Sequence, residues 1–452
     1  MGVRFGTDGI RGAVGSEIGP QLLRAIGRAA AVAVPAPRFL VARDTRRSGP
    51  MLQAALSEGL AAEGVDVVDL GVLPTPGLAF TAAARGLPGA VVSASHNPYS
   101  DNGVKLFAAG GRKLSDAEEA VVEARLEAAL RQPPPDAATT GATGPARGRH
   151  SSDPGAADAY ADHLVEMLEG RSLAGTTVVV DCAHGAASAV APAVLRRLGA
   201  EVTAVAAEPN GTNINAGCGS THPERVAAEV VSRRAQVGLA LDGDADRLVA
   251  VDHTGAVVGG DELLVLFAAD LAARGRLAGD TVVVTVMSNL GLRRALAERG
   301  IAVVETPVGD RYVLEALEAG GHSLGGEQSG HLVFRDLATT GDGLLTGILL
   351  LDLLRRTGRA LAELAGEAMT RLPQVLLNVA APAAAARDDD VRAAVAATAA
   401  ELGDRGRVLL RPSGTEPVVR VMIEAEDEEL ARRLAAALAA VVARAAAVSS
   451  AP

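Results

Sequence analysis

Aromatic residues are scarce in this 452-residue chain: tryptophan is absent, and phenylalanine and tyrosine together make up 2%. Cysteine is scarcer still, with only Cys182 and Cys218, and these two form no Cys-x-x-Cys pattern. Two cysteines are too few for a disulfide framework, so the sequence excludes a disulfide-stapled domain and suits a reducing compartment. Lysine occurs only twice, and we infer no function from this compositional bias.

Long hydrophobic runs and positive charge are also missing. No apolar run reaches the roughly 18–20 residues of a membrane span, and residues 1–8 hold no apolar signal core. The formal net charge is −11, so the chain repels nucleic acid, although a local basic pocket still suits a small anion. We therefore expect a cytoplasmic protein with no nucleic-acid partner and no membrane partner.

Apolar residues are plentiful, at 48% against 21% charged, which is enough for several cores, and the length of 452 residues predicts about three or four domains. Short apolar runs alternate with helical patterns, and several runs are continuous, as in parallel strands covered on both faces. Six runs are predicted to be strands, at 39–42, 65–70, 90–93, 177–181, 237–242 and 281–285. Five segments are predicted to be helices, at 51–63, 187–198, 224–234, 290–299 and 311–319. This alternation predicts an α/β fold.

Three stretches indicate domain boundaries. Residues 132–155, rich in proline and glycine, are predicted to be a linker or exposed loop, and residues 255–260 and 370–374 mark two further breaks. Beyond them lie a strand–turn–strand pattern around Arg411 and a long alanine-rich helix. We predict three successive mixed α/β domains, at 1–150, 151–255 and 256–369, plus a smaller α+β C-terminal domain at 370–452.

Three aspartates, Asp242, Asp244 and Asp246, follow the apolar strand residues Val237–Leu241. Carboxylates at this spacing repel one another unless a cation lies among them, and oxygen ligands without histidine or cysteine favour Mg²⁺. A calcium EF-hand would need glycine and glutamate where Arg247 and His253 stand, so it is excluded. The remaining alternative is a solvated acidic turn.

A serine opens the loop after another apolar run, in Ser95-His96-Asn97-Pro98. Open α/β sheets bind ligands beyond the carboxyl ends of their strands, so Ser95 is a candidate nucleophile or phosphoryl carrier. A turn or N-cap residue is the alternative, and no Gly-x-Ser-x-Gly elbow supports a hydrolase. His96 could act as a base, with a structural role as the alternative. Lys105, ten residues after Ser95, could be functional, with a surface position as the alternative.

Two further loops combine glycine with polar groups. Glu327, Ser329 and His331 lie in Gly-Gly-Glu-Gln-Ser-Gly-His, where a carboxylate beside a hydroxyl suits sugar hydroxyls and an imidazole suits acid–base work. A hydrogen-bonded turn without a ligand is the alternative to sugar binding for this loop. Arg11 lies in the glycine-rich loop 6–12 and either faces an anion or belongs to a structural turn.

A phosphate cradle is predicted near the C-terminus. Its residues are Arg411, Ser413, Gly414, Thr415 and Arg420. Guanidinium groups bind phosphate oxygens in pairs, and hydroxyls and loop N–H groups supply further donors. No Gly-Lys-Ser/Thr follows, so this is not a Walker loop. A hairpin turn is compatible with the same residues.

Five motifs occur together and in one order: Gly-Thr-Asp-Gly-Ile-Arg-Gly (6–12), Ser-Ala-Ser-His-Asn-Pro (93–98), Asp-Gly-Asp-Ala-Asp-Arg (242–247), Gly-Glu-Gln-Ser-Gly-His (326–331) and Arg-Pro-Ser-Gly-Thr-Glu-Pro (411–417). Together they resemble the α-D-phosphohexomutase family over residues 4–421. The resemblance implies four domains around a central active-site cleft. Each domain would carry one loop: the phosphoserine loop (93–98), the metal loop (242–247), the sugar loop (326–331) and the phosphate loop (411–417).

The resemblance also assigns roles. It implies that Ser95 is a phosphoserine that ligates one Mg²⁺ with Asp242, Asp244 and Asp246. The implied catalytic residues are Ser95, Lys105, Arg247 and His331. The implied substrate-binding residues are Arg11, His96, Glu327, Ser329 and His331. The non-reacting phosphate would bind Arg411, Ser413, Gly414, Thr415 and Arg420.

Within the family, Gln328 and the segments 211–222, 306–313 and 339–343 resemble members that act on glucosamine phosphate. His184 departs from the asparagine of that pattern. The implied function is an isomerase that interconverts glucosamine 6-phosphate and 1-phosphate through a hexose bisphosphate, for UDP-N-acetylglucosamine and cell-wall precursors. Phosphomannomutase/phosphoglucomutase activity and a non-catalytic sugar-phosphate sensor are the alternatives, and we expect a monomer or homodimer.

Overall fold

The computed structural model describes residues 5–6, 8–131, 147–413 and 417–449. The strands in these ranges are β1 (Ile10–Ala13), β2 (Arg38–Arg43), β3 (Asp66–Val72), β4 (Gly89–Val92), β5 (Asp101–Phe107), β6 (His150–Ser152), β7 (Thr177–Asp181), β8 (Glu201–Val205), β9 (Val237–Leu241), β10 (Leu248–Asp252), β11 (Val257–Val258), β12 (Thr281–Thr285), β13 (Ala302–Thr306), β14 (Leu324–Gly326), β15 (Leu332–Phe334), β16 (Gln374–Ala380), β17 (Gly406–Pro412) and β18 (Val418–Ala425).

The helices in the same ranges are α1 (Pro20–Ala33), α2 (Gly49–Ala62), α3 (Thr75–Arg85), α4 (Asp116–Arg131), α5 (Ala156–Glu166), α6 (Val190–Arg197), α7 (Pro223–Arg233), α8 (Gly260–Ala273), α9 (Leu290–Glu298), α10 (Asp310–Gly320), α11 (Gly343–Thr357), α12 (Leu361–Ala368), α13 (Asp389–Leu402) and α14 (Glu428–Ser449). None of these helices is long and apolar enough to span a bilayer. The chain divides into two compact units, Met1–Met287 with Ile301–Gly366, and Ser288–Gly300 with Glu367–Pro452.

The first unit holds three mixed sheets. Their strand orders are β1-β5-β4-β2-β3-β6, β11-β10-β9-β7-β8 and β13-β12-β14-β15. Each sheet has parallel strands at its centre and at least one antiparallel strand at an edge. The central strands β4, β9 and β12 are buried along their whole length, which explains their continuous apolar sequence.

Helices α1 and α2 pack closely against each other and share a core with the first sheet. A Cβ at Gly27 would lie 2.2 Å from the Leu56 carbonyl oxygen, and one at Gly59 would lie 2.1 Å from that of Arg24. Glycine is therefore required where the two backbones cross. Between them α1 and α2 bury Leu23, Ile26 and Leu56 completely, so this layer is a fixed support for the loops at the sheet's edge.

Strand ends place three of the predicted motifs. Strand β4 ends at Val92 just before the serine loop, β9 ends at Leu241 just before the three aspartates, and β14 ends at Gly326 just before Glu327. All three strands have parallel neighbours. The motifs therefore lie at the carboxyl ends of parallel strands, where α/β sheets bind ligands.

The second unit is an antiparallel sheet with helices. Its strand order is β16-β18-β17, and α13 and α14 pack against it. Helix α9 belongs to the same unit: Asn289, its N-cap, donates from Nδ2 to Glu424 Oε1 at 3.2 Å. Glu424 is fully buried, so this contact ties the start of α9 to β18.

The α/β prediction is confirmed, and the six predicted strands and five predicted helices are present with ends shifted by a few residues. One prediction is partly wrong: within the supposed loop at 132–155, His150–Ser152 forms β6 and pairs with β3. Residues 132–146 of that stretch lie outside the described residues. The boundaries at 150, 255 and 369 stay predictions.

Candidate active site

Ser95 lies fully buried in the loop after β4, with a left-handed φ of 50°. Its N–H donates to Ser93 Oγ at 3.0 Å, and Ser93 Oγ donates to Asp44 Oδ2 at 2.6 Å. In this conformation Ser95 Oγ donates to Asp242 Oδ2 at 2.5 Å. The loop must approach Gly243 closely, since a Cβ there would lie 2.5 Å from the Ser95 carbonyl oxygen.

A buried arginine that the sequence analysis missed holds the serine loop in place. Arg46 is 1% exposed and pairs through Nε with Asp44 Oδ2 at 2.9 Å. Its guanidinium donates to four carbonyl oxygens of the serine loop, those of Ser95 (2.9 Å), Asn97 (2.8 Å), Pro98 and Asp101 (3.1 Å). Asn215 Nδ2 donates to the same Ser95 oxygen at 2.8 Å. These donors fix the backbone that carries the candidate nucleophile.

The three aspartates converge in the loop between β9 and β10. All are buried, and one carboxylate oxygen from each lies within 4.8 Å of the others. Asp244 Oδ1 and Asp246 Oδ1 are buried without a hydrogen-bond partner. Unpaired buried oxygens are costly, and a hard divalent cation would satisfy them. The donor set therefore fits Mg²⁺, with Ser95 at its edge.

The aspartates are electrostatically unequal. Burial, reinforced by the neighbouring Asp246 and Asp244, raises the pKa of Asp242 well above its usual range. Burial also acts to raise the pKa of Asp246, but Lys105 and His331 hold it well below the usual range. The crowding of three buried carboxylates therefore favours the protonated form of Asp242, and a bound cation would oppose it.

Lys105 lies against the aspartates and not on the surface. Its Nζ donates to Asp244 Oδ2 and Asp246 Oδ2, both at 2.8 Å, and lies 3.1 Å from Asp8 Oδ1. Burial alone would lower the pKa of Lys105, but Asp244 and Asp246 raise it well above the usual range. Lys105 therefore remains a cation, on the opposite carboxylate oxygens from the two that are unpaired.

Three residues near Ser95 suit a phosphate. His96 Nδ1 lies 3.3 Å from Ser95 Oγ and 3.3 Å from an Arg247 guanidinium nitrogen. Burial, with Arg247 and Arg11, lowers the pKa of His96 to about 4, so the imidazole is neutral. The Nε atoms of Arg11 and Arg247 are buried without a hydrogen-bond partner. A phosphoryl group on Ser95 would offer them oxygen acceptors.

The sugar loop turns between β14 and β15. Glu327 accepts from the Gly309 N–H at 3.2 Å, and Ser329 Oγ lies 3.5 Å from Glu327 Oε2. Burial is the main cause that raises the pKa of Glu327. A Cβ at Gly330, where φ is 90°, would lie 2.0 Å from the Leu248 carbonyl oxygen. The glycine thus lets the sugar loop pack directly beside the metal loop.

His331 is 2% exposed and contacts Asp246 of the metal loop. Its Nδ1 lies 3.8 Å from Asp246 Oδ2, and its Nε2 lies 3.5 Å from Asp310 Oδ2 and accepts from the Gly341 N–H at 3.1 Å. Burial would lower the pKa of His331, but the two aspartates raise it. Its structural position therefore couples the sugar loop to Asp246.

The predicted phosphate cradle belongs to the second unit. Arg411 and Arg420 stand directly opposite each other on β17 and β18, and the Ser413 N–H donates to the Val418 carbonyl oxygen at 2.7 Å. Burial and Arg420 lower the pKa of Arg411, whose Nε is buried without a hydrogen-bond partner. Like charges across a sheet are unfavourable unless an anion lies between them. Two predicted cradle residues, Gly414 and Thr415, lie outside the described residues.

His184, which departs from the family pattern, lies in a loop beside the metal loop. Ala183 and His184 both have left-handed backbones, with φ of 52° and 49°. The His184 carbonyl oxygen accepts from Thr45 Oγ1 at 2.6 Å, and its Nδ1 accepts from the Glu208 N–H at 3.2 Å. Histidine is among the residues that tolerate this conformation, as asparagine does, so the loop accommodates the change.

The structure thus joins, through contacts in the first unit, most of the residues predicted from sequence: Ser95, His96, Lys105, Asp242, Asp244, Asp246, Arg247 and His331 directly, and Arg11 through Asp8. Glu327 and Ser329 lie on the adjoining sugar loop. The sequence analysis missed Asp8, Asp44, Arg46, Lys113, Asn215 and Asp310. A charged cluster directly after a buried strand, as in Asp44-Thr-Arg46, was the available signal.

Comparison with known proteins agrees with these motifs. Four family profiles, all described as phosphoglucomutase/phosphomannomutase, match in order: alpha/beta/alpha domain I at 2–132, domain II at 158–255, domain III at 259–372 and the C-terminal domain at 376–441. A phosphoglucosamine mutase of Frankia alni is 54% identical, with 97% of each chain covered. A phosphoglucosamine mutase of Rhodococcus jostii is 52% identical, covering 98% of this chain and 100% of that one.

Solved structures show the same fold. A phosphoglucomutase/phosphomannomutase family protein of Burkholderia thailandensis has a TM-score of 0.81 at 28% identity, with 98% of each chain covered. An Aspergillus fumigatus N-acetylphosphoglucosamine mutase, solved with GlcNAc-6P and magnesium, has a TM-score of 0.69 at 19% identity, covering 99% of this chain and 96% of that one. At that identity the second likeness extends to the fold alone.

Proposed function

The chain belongs to the phosphoglucomutase/phosphomannomutase family, the α-D-phosphohexomutases, and on that premise we propose that it interconverts glucosamine 6-phosphate and glucosamine 1-phosphate. It is an isomerase: full-length relatives at 51–54% identity are phosphoglucosamine mutases. The observation that carries the chemistry is the 2.5 Å contact between Ser95 Oγ and Asp242 Oδ2. It joins a buried hydroxyl to a carboxylate cluster suited to a divalent cation.

Phospho-Ser95 first transfers its phosphoryl group to the free O1 hydroxyl of glucosamine 6-phosphate. The phosphorus–Oγ bond breaks as the phosphorus–O1 bond forms, and the proton lost from the O1 hydroxyl is balanced by the proton that the freed Ser95 Oγ takes up. The bisphosphate turns over within the site, and Ser95 Oγ then takes the phosphoryl group from O6. A hexose bisphosphate would also load Ser95 initially, because it is the species from which the serine accepts phosphate.

The residues around Ser95 supply charge to this transfer. Asp242, Asp244 and Asp246 with Ser95 would hold one Mg²⁺, which offsets negative charge on the transferring group. Lys105, held as a cation by Asp244 and Asp246, and the guanidinium groups of Arg11 and Arg247 face the same region. His96 supplies a neutral nitrogen beside the serine hydroxyl.

The remaining contacts select and orient the sugar. Glu327 and Ser329 provide acceptors for sugar hydroxyls, and His331 supports their loop from behind. Arg411, Ser413 and Arg420, with Gly414 and Thr415, would bind the phosphate that is not reacting. This division assigns 1–150 to the phosphoserine loop, 151–255 to the metal loop, 256–369 to the sugar loop and 370–452 to the phosphate cradle. We also propose a cytoplasmic location, which suits a sugar-phosphate substrate. The proposed oligomeric state is a monomer or homodimer.

The proposal is tested by a coupled assay on glucosamine 6-phosphate with intact-mass analysis of the purified chain. We expect turnover, a mass increase of one phosphoryl group after incubation with a hexose bisphosphate, and kcat/KM highest for the glucosamine phosphate. A higher kcat/KM for glucose or mannose phosphates would overturn the sugar assignment. Tight sugar-phosphate binding without any phosphate on the protein would instead indicate a sensor.

A further inference from the structure

Both lysines of the chain lie at the candidate active site, and the second of them, Lys113, has no role in the mechanism above. Lys113 lies between β5 and α4 and is 7% exposed. Its Nζ donates to Asp8 Oδ1 at 2.6 Å and to Asp310 Oδ2. Burial would lower the pKa of this ammonium, but Asp310 and Asp8 raise it. A buried cation with two carboxylate partners is a fixed bridge between them.

One end of the bridge leads to the cations at the reacting group. Asp8 Oδ1 also lies 3.1 Å from Lys105 Nζ, and Asp8 Oδ2 pairs with the Arg11 guanidinium. Asp8 therefore forms ion pairs with three cations at once. Its position helps to decide where Lys105 lies against Asp244 and Asp246 and where Arg11 points.

The other end leads to the sugar loop. Asp310 begins α10, and its Oδ2 lies 3.5 Å from His331 Nε2. His331 in turn lies 3.8 Å from Asp246. Lys113 thus closes a ring of contacts that runs from the metal loop through Lys105 and Asp8, and returns through Asp310 and His331.

From this ring we infer that Lys113 is a positioning residue: it sets the spacing of Asp8 and Asp310, and through them the placement of Lys105 and Arg11 relative to His331. The inference rests on the proposed function, because the reaction is what requires that spacing. Lys113 acts through its two carboxylate partners, and the substrate contacts assigned above involve other residues.

A purely structural ion pair is the competing explanation. The contact between the segment around α4 and the start of α10 also offers a matched control. One residue after Asp310, Arg311 pairs with Asp116 and with Glu119 at 2.6 Å, joining the same two chain segments. Arg311 is similarly buried, at 5% exposure, but its side chain pairs with Asp116 and Glu119, which lie outside the ring. The double variant Arg311→Met/Glu119→Gln removes this pair without leaving a buried charge unpaired.

The experiment measures kcat, KM for glucosamine 6-phosphate and Tm in five proteins: the parent, Lys113→Met, Asp310→Asn, Lys113→Met/Asp310→Asn and the Arg311→Met/Glu119→Gln control. We expect Lys113→Met to lower kcat by about 10- to 100-fold with KM within about threefold, because misplacing reacting groups by an ångström costs that much. The neutral double variant should lose less than the product of the two single losses, since neither buried charge is then unpaired. The control should lower Tm and leave kcat within about twofold.

Three results would overturn the role. They are a parent-like kcat in Lys113→Met, an equal kcat loss in the control, and single losses that multiply in the double variant. If Lys113→Met does not fold, the neutral double variant carries the test, and a parent-like kcat there would also refute the positioning role. No turnover by the parent would refute the proposed function, whereas a normal parent with a normal Lys113→Met refutes only the role of Lys113.

Discussion

Ser95 and Asp242 share one buried hydrogen bond, in which Ser95 Oγ donates to Asp242 Oδ2 at 2.5 Å. The bond suits only the free hydroxyl. A phosphoryl group on Oγ replaces the donor with negatively charged acceptors, so the phosphate and the ionised carboxylate of Asp242 would then repel each other. A cation among the aspartates reverses that repulsion. Phosphorylation of Ser95 and metal binding are therefore expected to favour each other, which by linkage holds in both directions.

Replacing Ser95 with alanine should abolish the phosphoenzyme and mutase turnover while sugar-phosphate binding is retained. The substitution removes the only atom proposed to carry phosphate but keeps the contacts of the sugar loop. Intact mass after incubation with a hexose bisphosphate, the coupled assay and calorimetric titration check the three expectations. Ser100→Ala is the matched control, because Ser100 is an exposed serine of the same loop. Measurable turnover by Ser95→Ala would rule out the carrier role.

Mg²⁺ binding near neutral pH should release a proton. Burial and the neighbouring carboxylates keep the pKa of Asp242 well above its usual range, and a bound cation lowers it again. Titration calorimetry in two buffers of different ionisation enthalpy reports the number of protons released, and we expect up to one. Binding without proton release would contradict the charge state assigned to Asp242. Chelation should abolish turnover.

The same titration tests the donor set. Asp244→Asn should weaken Mg²⁺ binding by about 10-fold or more, because it removes one of the three charges at the site. Asp252→Asn is the control: Asp252 is also buried, but its carboxylate accepts from Thr254 and Ala256. The control is expected to bind Mg²⁺ like the parent even if it is less stable. Equal effects in both variants would argue against the aspartate cluster as the metal site.

Arg411→Leu should raise KM for glucosamine 6-phosphate by about 10- to 100-fold with a smaller effect on kcat. A charge-assisted hydrogen bond to phosphate contributes about 1.5–3 kcal/mol, and this contact is proposed to hold the non-reacting end. Arg433→Leu, on the exposed face of α14, is the control. An unchanged KM in Arg411→Leu would remove Arg411 from the phosphate cradle.

Asp342 should make stability fall as pH rises through the mildly acidic range. It is the N-cap of α11, it accepts from Tyr160, and burial raises its pKa to about 6. Because the folded chain holds this proton more tightly than the unfolded chain, the stabilisation present below about pH 4 is lost by about pH 6. Asp342→Asn removes that loss, so its stability relative to the parent should improve over the same window.

Urea denaturation at several pH values between 4.5 and 7.5 measures the difference between Asp342→Asn and the parent. The raised pKa of Asp342, about two units above its usual value, corresponds to a change of about 3 kcal/mol at most in the free energy of unfolding. Tyr160→Phe offers a second comparison, because losing the hydroxyl donor raises the pKa of Asp342 further and should steepen the decline. A difference that stays constant across the range would show that Asp342 does not titrate as assigned.

Contiguous motifs made much of the site predictable. Ser95 and the three aspartates each stand directly after an apolar strand, so their sequence context places them at a sheet edge. Arg46 and Asn215 could not be found that way, because they contact Ser95 across 49 and 120 residues of chain. Lys113 and Asp310 are 197 residues apart. Their roles depend on which loops the fold brings together, and no local pattern reports that.

The fold shows the same division between local and long-range information. Buried strands such as β9 and β12 were predictable from continuous apolar runs. Strand β5 was not, because Asn102 and Gly103 interrupt its pattern and its place is set by pairing with β1 and β4. Strand β16 alternates half-buried and exposed residues along Gln374–Ala380, a local signal that was available in the sequence.

The burial of both lysines has a practical consequence. A protease that cleaves after lysine can cut this chain only at Lys105 and Lys113, and in the folded state these residues are 1% and 7% exposed. The native enzyme should therefore resist such a protease, while each opening of the first unit exposes two cuts only eight residues apart. Digestion rate then reports opening of the active-site region itself, and a bound sugar phosphate should slow it.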